Sequence, residues 1–187
     1  MKNHNGHMTQ DLYQKAMKFA GEKHSKQKVP GSSANYLLHI SNVAMEVLVA
    51  YNFDSSFDLD FAIQTAILHD TIEDTDADFD EIKTKFGEPI ARAVQALTKD
   101  DKLPSKAEKM TDSLKRINQL QKEVGLVKIA DRITNLQTPP SHWSKEKIAA
   151  YCEEAKLIAQ TLANKNTYLN ERLESKIIDY TAQMNLV

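Results

Sequence analysis

Residues 61–75 read FAIQTAILHDTIEDT, an apolar run that passes directly into a cluster of ionisable side chains. The apolar positions recur at the spacing of one helix face, and they predict a helix that ends near the cluster. Helical spacing continues through nearly the whole chain, and runs of strict apolar and polar alternation are absent from it. The sequence therefore predicts an all-α fold, a single-domain helical bundle.

Capping and breaking residues set the expected helix boundaries. Asp78 followed by Glu81 is typical of a capped start, and Gly87 closes that short helix before Pro89 opens the next. The same capping pattern begins another helix at Ser105. Further helices are expected around 12–20, 40–48, 144–164 and 167–185.

Net charge, cysteine content and length limit the partners, compartment and domain number that the sequence predicts. The formal net charge of −2 gives no overall attraction to DNA, RNA or an anionic membrane, so we expect neither nucleic acid nor membrane as a partner. The single cysteine, Cys152, cannot form an intrachain disulfide and suits a reducing cytoplasm. A chain of 187 residues fits one domain over 1–187, with 144–187 as C-terminal helices packed on it. The pattern predicts no particular oligomeric state.

Charge is distributed unevenly along the chain. Residues 54–82 hold ten carboxylates and neither Lys nor Arg, whereas 99–132 hold nine Lys or Arg against six Asp or Glu. A metal ion could lie near the first segment and a phosphate near the second. Alternatively, several of the acids cap helices or lie on solvated faces.

Four ionisable residues, His69, Asp70, Glu73 and Asp74, occur at positions i, i+1, i+4 and i+5. On one helix their side chains would span an arc of about 140° and share a face. Three carboxylates this close repel one another, which favours a cation between them or a raised pKa. A core histidine bonded to a carboxylate is the ordinary alternative for the first two residues.

Two further residues extend this site. His39 begins a predicted helix, and Asp131 lies in the otherwise apolar run 127–133. A buried carboxylate must be paired or bound to metal, and an ion pair with Lys128 or Arg132 is the alternative for Asp131. Two neutral imidazoles and two aspartates form a mixed nitrogen and oxygen set of charge −2, which suits one divalent ion, Mn²⁺ best of all.

This set of residues predicts a reaction as well as a metal. Four protein ligands in octahedral coordination leave two positions for water and a substrate oxygen. Glu73 and Asp74 would orient or deprotonate that water. The residues thus predict metal-dependent hydrolysis of a phosphate ester or anhydride bond in a small nucleotide.

The same residues stand in an order that is typical of a known family. The matching segments are YLLH at 36–39, AILHD at 66–70, EDT at 73–75, FG at 86–87, LT at 97–98, KIADR at 128–132 with Asn135, and WS at 143–144. From about residue 12 to 180 this order resembles the HD hydrolase domain of RelA/SpoT homologues, and in detail the small stand-alone alarmone hydrolases. The resemblance implies an HD phosphohydrolase fold and Mn²⁺-dependent removal of the 3′-pyrophosphate from guanosine tetra- and pentaphosphate, (p)ppGpp.

The resemblance also implies roles for individual residues. Four match the metal ligands: His39, His69, Asp70 and Asp131. Two match the pair that activates water: Glu73 and Asp74. Four match positions near the nucleotide: Tyr36, Lys102, Lys128 and Asn135. Lys28, in the loop before His39, is also expected to approach the substrate phosphates. The alternatives for the four stay open, since Lys102 and Lys128 could be solvated, Tyr36 could belong to the core, and Asn135 could support Asp131.

The chain departs from the family pattern in the loop before His39. Residues 26–36 read KQKVPGSSANY, with Asn35 where the family usually has proline and with fewer cations than its usual basic group. Ile40 likewise replaces a proline that often follows the histidine. Two alternative functions are an HD-type phosphohydrolase for another nucleotide and a non-catalytic helical module that senses a nucleotide. The complete Glu73-Asp74 pair argues against the second.

Overall fold

The computed structural model describes residues 8–140 and 142–184. Within these residues the chain forms ten helices, and the only β interaction is an isolated antiparallel bridge between Lys28 and Asn35. The helices are α1 (Thr9–Lys23), α2 (Leu37–Phe53), α3 (Leu59–Leu68), α4 (Thr71–Asp74), α5 (Phe79–Phe86), α6 (Glu88–Leu97), α7 (Lys106–Asn118), α8 (Lys122–Asn135), α9 (Lys145–Thr161) and α10 (Thr167–Met184). The predicted all-α fold is confirmed.

The capping residues act as their sequence pattern predicts. The Asp78 side chain accepts a hydrogen bond from the Glu81 backbone N at 2.8 Å and begins α5, which Gly87 ends with a φ of 91°. Ser105 accepts a hydrogen bond from the Glu108 backbone N at 3.2 Å and donates one to Glu108 Oε2 at 2.6 Å. The Ser105 hydroxyl thus caps the start of α7, and the Glu108 carboxylate holds that hydroxyl in place.

Helix α8 runs through the middle of the bundle. Every residue from 123 to 133 is buried, and the helix contacts α2, α3, α6, α7, α9 and α10. Leu126 and Ile129 are fully enclosed in the core. A helix in this position is ordinarily apolar all round, so each charged side chain that it carries needs a buried partner.

Helix α3 ends beside α2 and α8. It packs against α1, α2, α6 and α8, and residues 61–63 and 65–68 are buried. Because α3 is enclosed on most sides, His69 at its end is still buried, and the chain first meets solvent at Asp70, next to α2 and α8. The apolar packing of α3 therefore decides where these two ionisable residues lie.

The helix expected through the ionisable cluster is interrupted. Helix α3 ends at Leu68, and the four-residue α4 begins only at Thr71. Two side chains bond back to α3 at the break: the Thr71 hydroxyl donates to the Leu68 carbonyl at 2.7 Å, and His69 Nδ1 lies 2.7 Å from the Ala66 carbonyl. Such local bonds compete with continuation of a helix. The prediction that 69, 70, 73 and 74 share one helix face is therefore wrong.

The last two helices lie against the centre of the bundle. Helix α9 contacts α7, α8 and α10, and α10 contacts α2 and α8. The observed α9 ends at Thr161, before the predicted end at residue 164. Helix α10 begins at the predicted Thr167, and its predicted end at Asn185 lies outside the described residues. Among the described residues no helix is both long and apolar enough to cross a membrane. The extent of the domain over 1–187 stays a prediction.

The conformation of Gly87 gives a test of the fold. With φ 91° and ψ 159° it occupies a backbone region that is essentially restricted to glycine. We expect Gly87→Ala to lower the free energy of unfolding by about 1–3 kcal/mol. The matched control is Gly21→Ala within α1, where the added Cβ meets the Leu37 side chain at 3.4 Å. Because alanine favours a helix over glycine, the control should be stabilised by about 0.5–1 kcal/mol. Urea unfolding measures both, and equal shifts would show that the Gly87 backbone carries no such strain.

Candidate metal centre

Four side chains from distant parts of the chain converge at the break after α3. His39 comes from the first turn of α2, His69 and Asp70 from the break itself, and Asp131 from α8. His39 Nε2 lies 3.3 Å from His69 Nε2, 3.6 Å from Asp70 Oδ2 and 3.4 Å from Asp131 Oδ1. His69 Nε2 lies 2.9 Å from Asp70 Oδ2 and 3.7 Å from Asp131 Oδ1.

Three of these residues form a compact set of possible ligands. Single ligand atoms of His39, His69 and Asp70 all lie within 4.8 Å of one another. Asp131 is outside this set of three, although its Oδ1 approaches both imidazoles. The Asp70 side chain is 21 % exposed, whereas those of the two histidines and Asp131 are buried. The centre therefore meets solvent at Asp70.

Neighbouring groups orient the side chains of His69 and Asp70. The Ala66 carbonyl lies 2.7 Å from His69 Nδ1, which places a proton on that nitrogen and turns Nε2 toward the carboxylates. The Tyr36 hydroxyl donates to Asp70 Oδ2 at 2.6 Å, and its ring is buried. Tyr36 therefore belongs to the core, and its hydroxyl reaches the candidate centre, while its contact with a nucleotide stays a prediction.

The two oxygens of Asp131 have different partners. Lys128 Nζ donates to Oδ2 at 2.9 Å, so the ion pair considered from the sequence is present. Asn135 Nδ2 donates to Oδ1 at 2.5 Å, the same oxygen that approaches both histidines. Arg132 pairs instead with Glu154. The ion pair and the position beside the histidines are thus compatible.

The electrostatics of the centre favour a bound cation. Burial alone would lower the pKa of His69, but Asp70 and Asp131 raise it well above its ordinary value. Burial also opposes ionisation of Asp131, yet Lys128 and the histidines hold its pKa well below its usual range. The pKa of Asp70 is likewise lowered, against burial, by His69. Anionic oxygens thus surround the imidazole nitrogens, and a divalent ion could replace a proton there.

Glu73 and Asp74 contact two different neighbours. Glu73 accepts hydrogen bonds from the Lys99 backbone N at 3.0 Å and from Lys99 Nζ at 2.9 Å. Asp74 accepts one from Gln27 Nε2 at 2.8 Å. Burial raises the pKa of Asp74, and the charges of Asp70 and Glu73 add to the rise, while the Gln27 bond opposes it. Sequence reasoning missed Lys99 and Gln27, because these partners are 26 and 47 residues away along the chain.

The lysines expected near the nucleotide lie in three separate places. Lys128 is 7 % exposed and is engaged by Asp131. Lys102 lies at a surface pocket that it shares with Lys99 and Arg116. Lys28 lies in the loop before α2. Contact of these lysines with a substrate stays a prediction.

Asn35 fixes the loop in which the chain departs from the family pattern through side-chain hydrogen bonds. Its Oδ1 accepts a hydrogen bond from the Leu37 backbone N at 3.0 Å, at the start of α2. Its Nδ2 donates to the Ser25 carbonyl at 3.2 Å on the opposite side of the loop. The side-chain bonds of asparagine thus connect the loop to the helix that carries His39.

An aromatic pocket of about 410 Å³ opens beside His39. Residues that line it include Leu38, Asn42, Asn135, Trp143, Tyr151 and Tyr180. The Arg132 guanidinium lies 4.4 Å from the centroid of the Tyr151 ring and so fixes one wall to α8. His39, Asn135 and Trp143 carried a sequence signal for this region. The two tyrosines did not, because they lie on the C-terminal helices, whose pattern indicates packing alone.

The chain belongs to the HD-domain family, whose model matches residues 16–168. Membership implies a site for a divalent metal, and the histidines with Asp70 fit that requirement by their chemistry and distances. The chain is 32 % identical over 166 residues to a guanosine-3′,5′-bis(diphosphate) 3′-pyrophosphohydrolase of Danio rerio, covering 86 % of this chain and 89 % of that protein. The human protein with the same enzyme name is 30 % identical over 164 residues, covering 85 % and 89 %.

Solved structures agree on the fold. A metazoan ortholog of SpoT, described as hydrolysing ppGpp, aligns with a TM-score of 0.76 at 24 % identity, covering 90 % of this chain and 94 % of that one. A protein of Listeria monocytogenes EGD-e aligns with a TM-score of 0.63 at 18 % identity, covering 80 % and 99 %. The predicted single-domain bundle of the HD type is confirmed.

The ion pair between Lys128 and Asp131 can be tested by its effect on stability. Lys128→Met leaves Asp131 buried without its cation, and breaking a buried pair in this way costs about 3–5 kcal/mol. We expect the free energy of unfolding of the chelator-treated protein to fall by that amount. The control, Lys102→Met at a surface position, should change it by less than about 0.5 kcal/mol. If urea unfolding gives the same value for both variants, Lys128 is not needed to hold Asp131.

Proposed function

We propose that this protein is a metal-dependent phosphohydrolase that removes the 3′-pyrophosphate from (p)ppGpp, with Mn²⁺ as its ion. The convergence of His39, His69, Asp70 and Asp131 beside an open pocket carries the proposal. Similarity to pyrophosphohydrolases over nearly the whole chain supports the choice of reaction. We place the activity in the cytoplasm, because a single buried cysteine suits a reducing compartment.

The four residues of the centre would hold the ion, and the ion would supply Lewis acidity and a water of lowered pKa. Asp70 faces solvent, so a substrate phosphate can approach from that side. The hydroxyl of Tyr36 and the ammonium of Lys128 keep the two carboxylates in place. These bonds hold the ligand atoms in position before a substrate arrives, which lowers the cost of reaching the reactive geometry.

Glu73 and Asp74 take different parts in this proposal. Glu73 is paired with Lys99, which fixes its carboxylate as an acceptor that orients the attacking water. Among the described residues only the uncharged amide of Gln27 holds the Asp74 side chain, and burial raises the pKa of Asp74. A raised pKa makes a carboxylate a better acceptor for the proton of the attacking water. We therefore assign to Asp74 the role of accepting the proton from the attacking water.

The aromatic pocket would hold the nucleoside part of the substrate. Trp143 and Tyr151 offer flat apolar surfaces for a base, and Asn42 and Asn135 offer amide groups at its edge. Lys102 and Lys28 would approach the phosphates as point charges. A second candidate is hydrolysis of a less highly phosphorylated nucleotide, which the small number of cations in the 26–36 loop favours. The released product distinguishes the two: pyrophosphate supports the first and orthophosphate the second.

Metal loading and product analysis test this function directly. We expect about one divalent ion per chain after Mn²⁺ loading, falling on acidification as the histidines protonate. Asp131→Asn should lose the ion, and Lys102→Met should keep it. The loaded protein should release pyrophosphate from (p)ppGpp. Elemental analysis measures the bound metal. Chromatography of reactions with a panel of guanine and adenine nucleotides identifies the released product. An enzyme that retains full activity in excess chelator would refute the metal-dependent mechanism.

The roles of Glu73 and Asp74 predict an unequal response to amide substitution. Asp74→Asn removes the proton acceptor and should lower kcat by about 10²–10⁴-fold, the usual contribution of a general base. Glu73→Gln keeps the shape of the side chain and should lower kcat by a smaller factor. Metal content and melting temperature should change little in both variants, because neither residue is a proposed ligand. If Glu73→Gln is the more damaging variant, the two roles are reversed; if neither affects turnover, the pair has no catalytic role.

A further inference from the structure

His24 is a buried histidine that the proposed reaction does not use. It lies just after α1 and is 1 % exposed. Its Nδ1 is 2.5 Å from Gln27 Oε1, and Gln27 Nε2 donates to Asp74 Oδ2 at 2.8 Å. A chain of hydrogen bonds therefore runs from the interior, through a loop residue, to the carboxylate that we assign as proton acceptor.

The orientation of the Gln27 amide follows from this chain. The Asp74 carboxylate can only accept, so it must face the amide nitrogen, and the amide oxygen must face His24. His24 then carries its proton on Nδ1. Its Nε2 is buried and has no hydrogen-bond partner among the described residues, which agrees with a neutral ring, and burial lowers the pKa of this histidine. Neutral His24 thus fixes which way the amide points.

His24 also supports a second contact to the centre. Its ring packs on Tyr36 with centroids 5.0 Å apart, and Tyr36 packs on His39 at 5.1 Å. The Tyr36 hydroxyl then donates to Asp70 Oδ2. The buried His24 ring therefore contacts both Tyr36, which bonds to Asp70, and Gln27, which bonds to Asp74.

We propose that Gln27, oriented by His24, is a positioning residue that holds the Asp74 carboxylate for reaction. The proposal rests on the proposed function. Among the described residues Gln27 is the only side chain that donates to Asp74, whereas Glu73 receives two hydrogen bonds from Lys99. Without Gln27 the Asp74 carboxylate would be free to rotate away from the attacking water.

Gln27→Met tests this role, because it keeps the length of the side chain and removes both hydrogen bonds. The backbone bonds of Gln27, its N to the His24 carbonyl and its carbonyl from Tyr36 N, each 3.0 Å, do not depend on the side chain, so the loop should keep its shape. Small misplacements of a reacting group cost up to about 10²-fold in rate. We expect kcat to fall by about 10–100-fold with KM, metal content and melting temperature unchanged.

The control is Gln14→Met, an exposed glutamine on α1 whose substitution should leave kcat as in the wild type. Rescue separates positioning from packing: His24→Asn keeps an amide donor close to the place of Nδ1, whereas His24→Leu keeps none. The Asn variant should therefore retain more kcat than the Leu variant. Full kcat in Gln27→Met, or a change in KM alone, would overturn the proposal.

A measurement without turnover keeps the two proposals distinguishable. In ¹H–¹⁵N spectra the Gln27 side-chain amide should resonate away from that of a solvated glutamine and should return toward it in Asp74→Asn and in His24→Leu. An amide that already resembles free glutamine in the wild type would overturn the role of Gln27, whatever the activity. A wild type that hydrolyses none of the nucleotides would overturn the proposed function, and the amide shifts would still decide whether Gln27 holds Asp74.

Discussion

The ionised carboxylate of Asp131 in the middle of the bundle is the constraint on which the candidate site depends. Helix α8 is enclosed along its whole central part, so this charge is largely shielded from bulk water. It is satisfied in two directions, by Lys128 at one oxygen and by Asn135 and two histidines at the other. An unpaired buried charge would cost several kcal/mol, at least about 3. Helices α2, α3 and α8 must therefore meet where these partners coincide.

The break after α3 follows from the same requirement. A continuous helix would carry Asp70 and Asp74 along one face, but the turn at 69–70 directs Asp70 toward the histidines and Asp74 toward the loop before α2. The hydrogen bonds of His69 and Thr71 to carbonyls of α3 stabilise that turn. The interrupted helix thus supplies two of the four proposed ligands, His69 and Asp70, as well as the proposed catalytic pair.

The C-terminal helices complete the site from the other side. Arg132 follows Asp131 directly but points to α9, where it pairs with Glu154 and lies over the Tyr151 ring. Adjacent residues of α8 therefore serve two purposes, since one contributes to the candidate centre and the next holds a wall of the aromatic pocket. This arrangement links the geometry of the pocket to that of the centre through a single buried helix.

The sequence alone determined the helical class, the capped starts at Asp78 and Ser105, and the short list of chemically capable residues. These features are local, because capping and helical periodicity depend on residues three or four positions apart. The candidate ligands could also be named, since a carboxylate in the apolar run 127–133 must be paired or bound to metal once it is buried. Residue type and order identified these candidate ligands, but they did not determine which of them lie close together.

Tertiary structure alone decided the partners of Glu73 and Asp74. Lys99 reaches Glu73 and Gln27 reaches Asp74 across 26 and 47 residues, and nothing in local spacing joins such positions. The physical reason is that a side-chain hydrogen bond reaches only about 3 Å, so its partner is fixed by the packing of helices that the sequence pattern does not order in space.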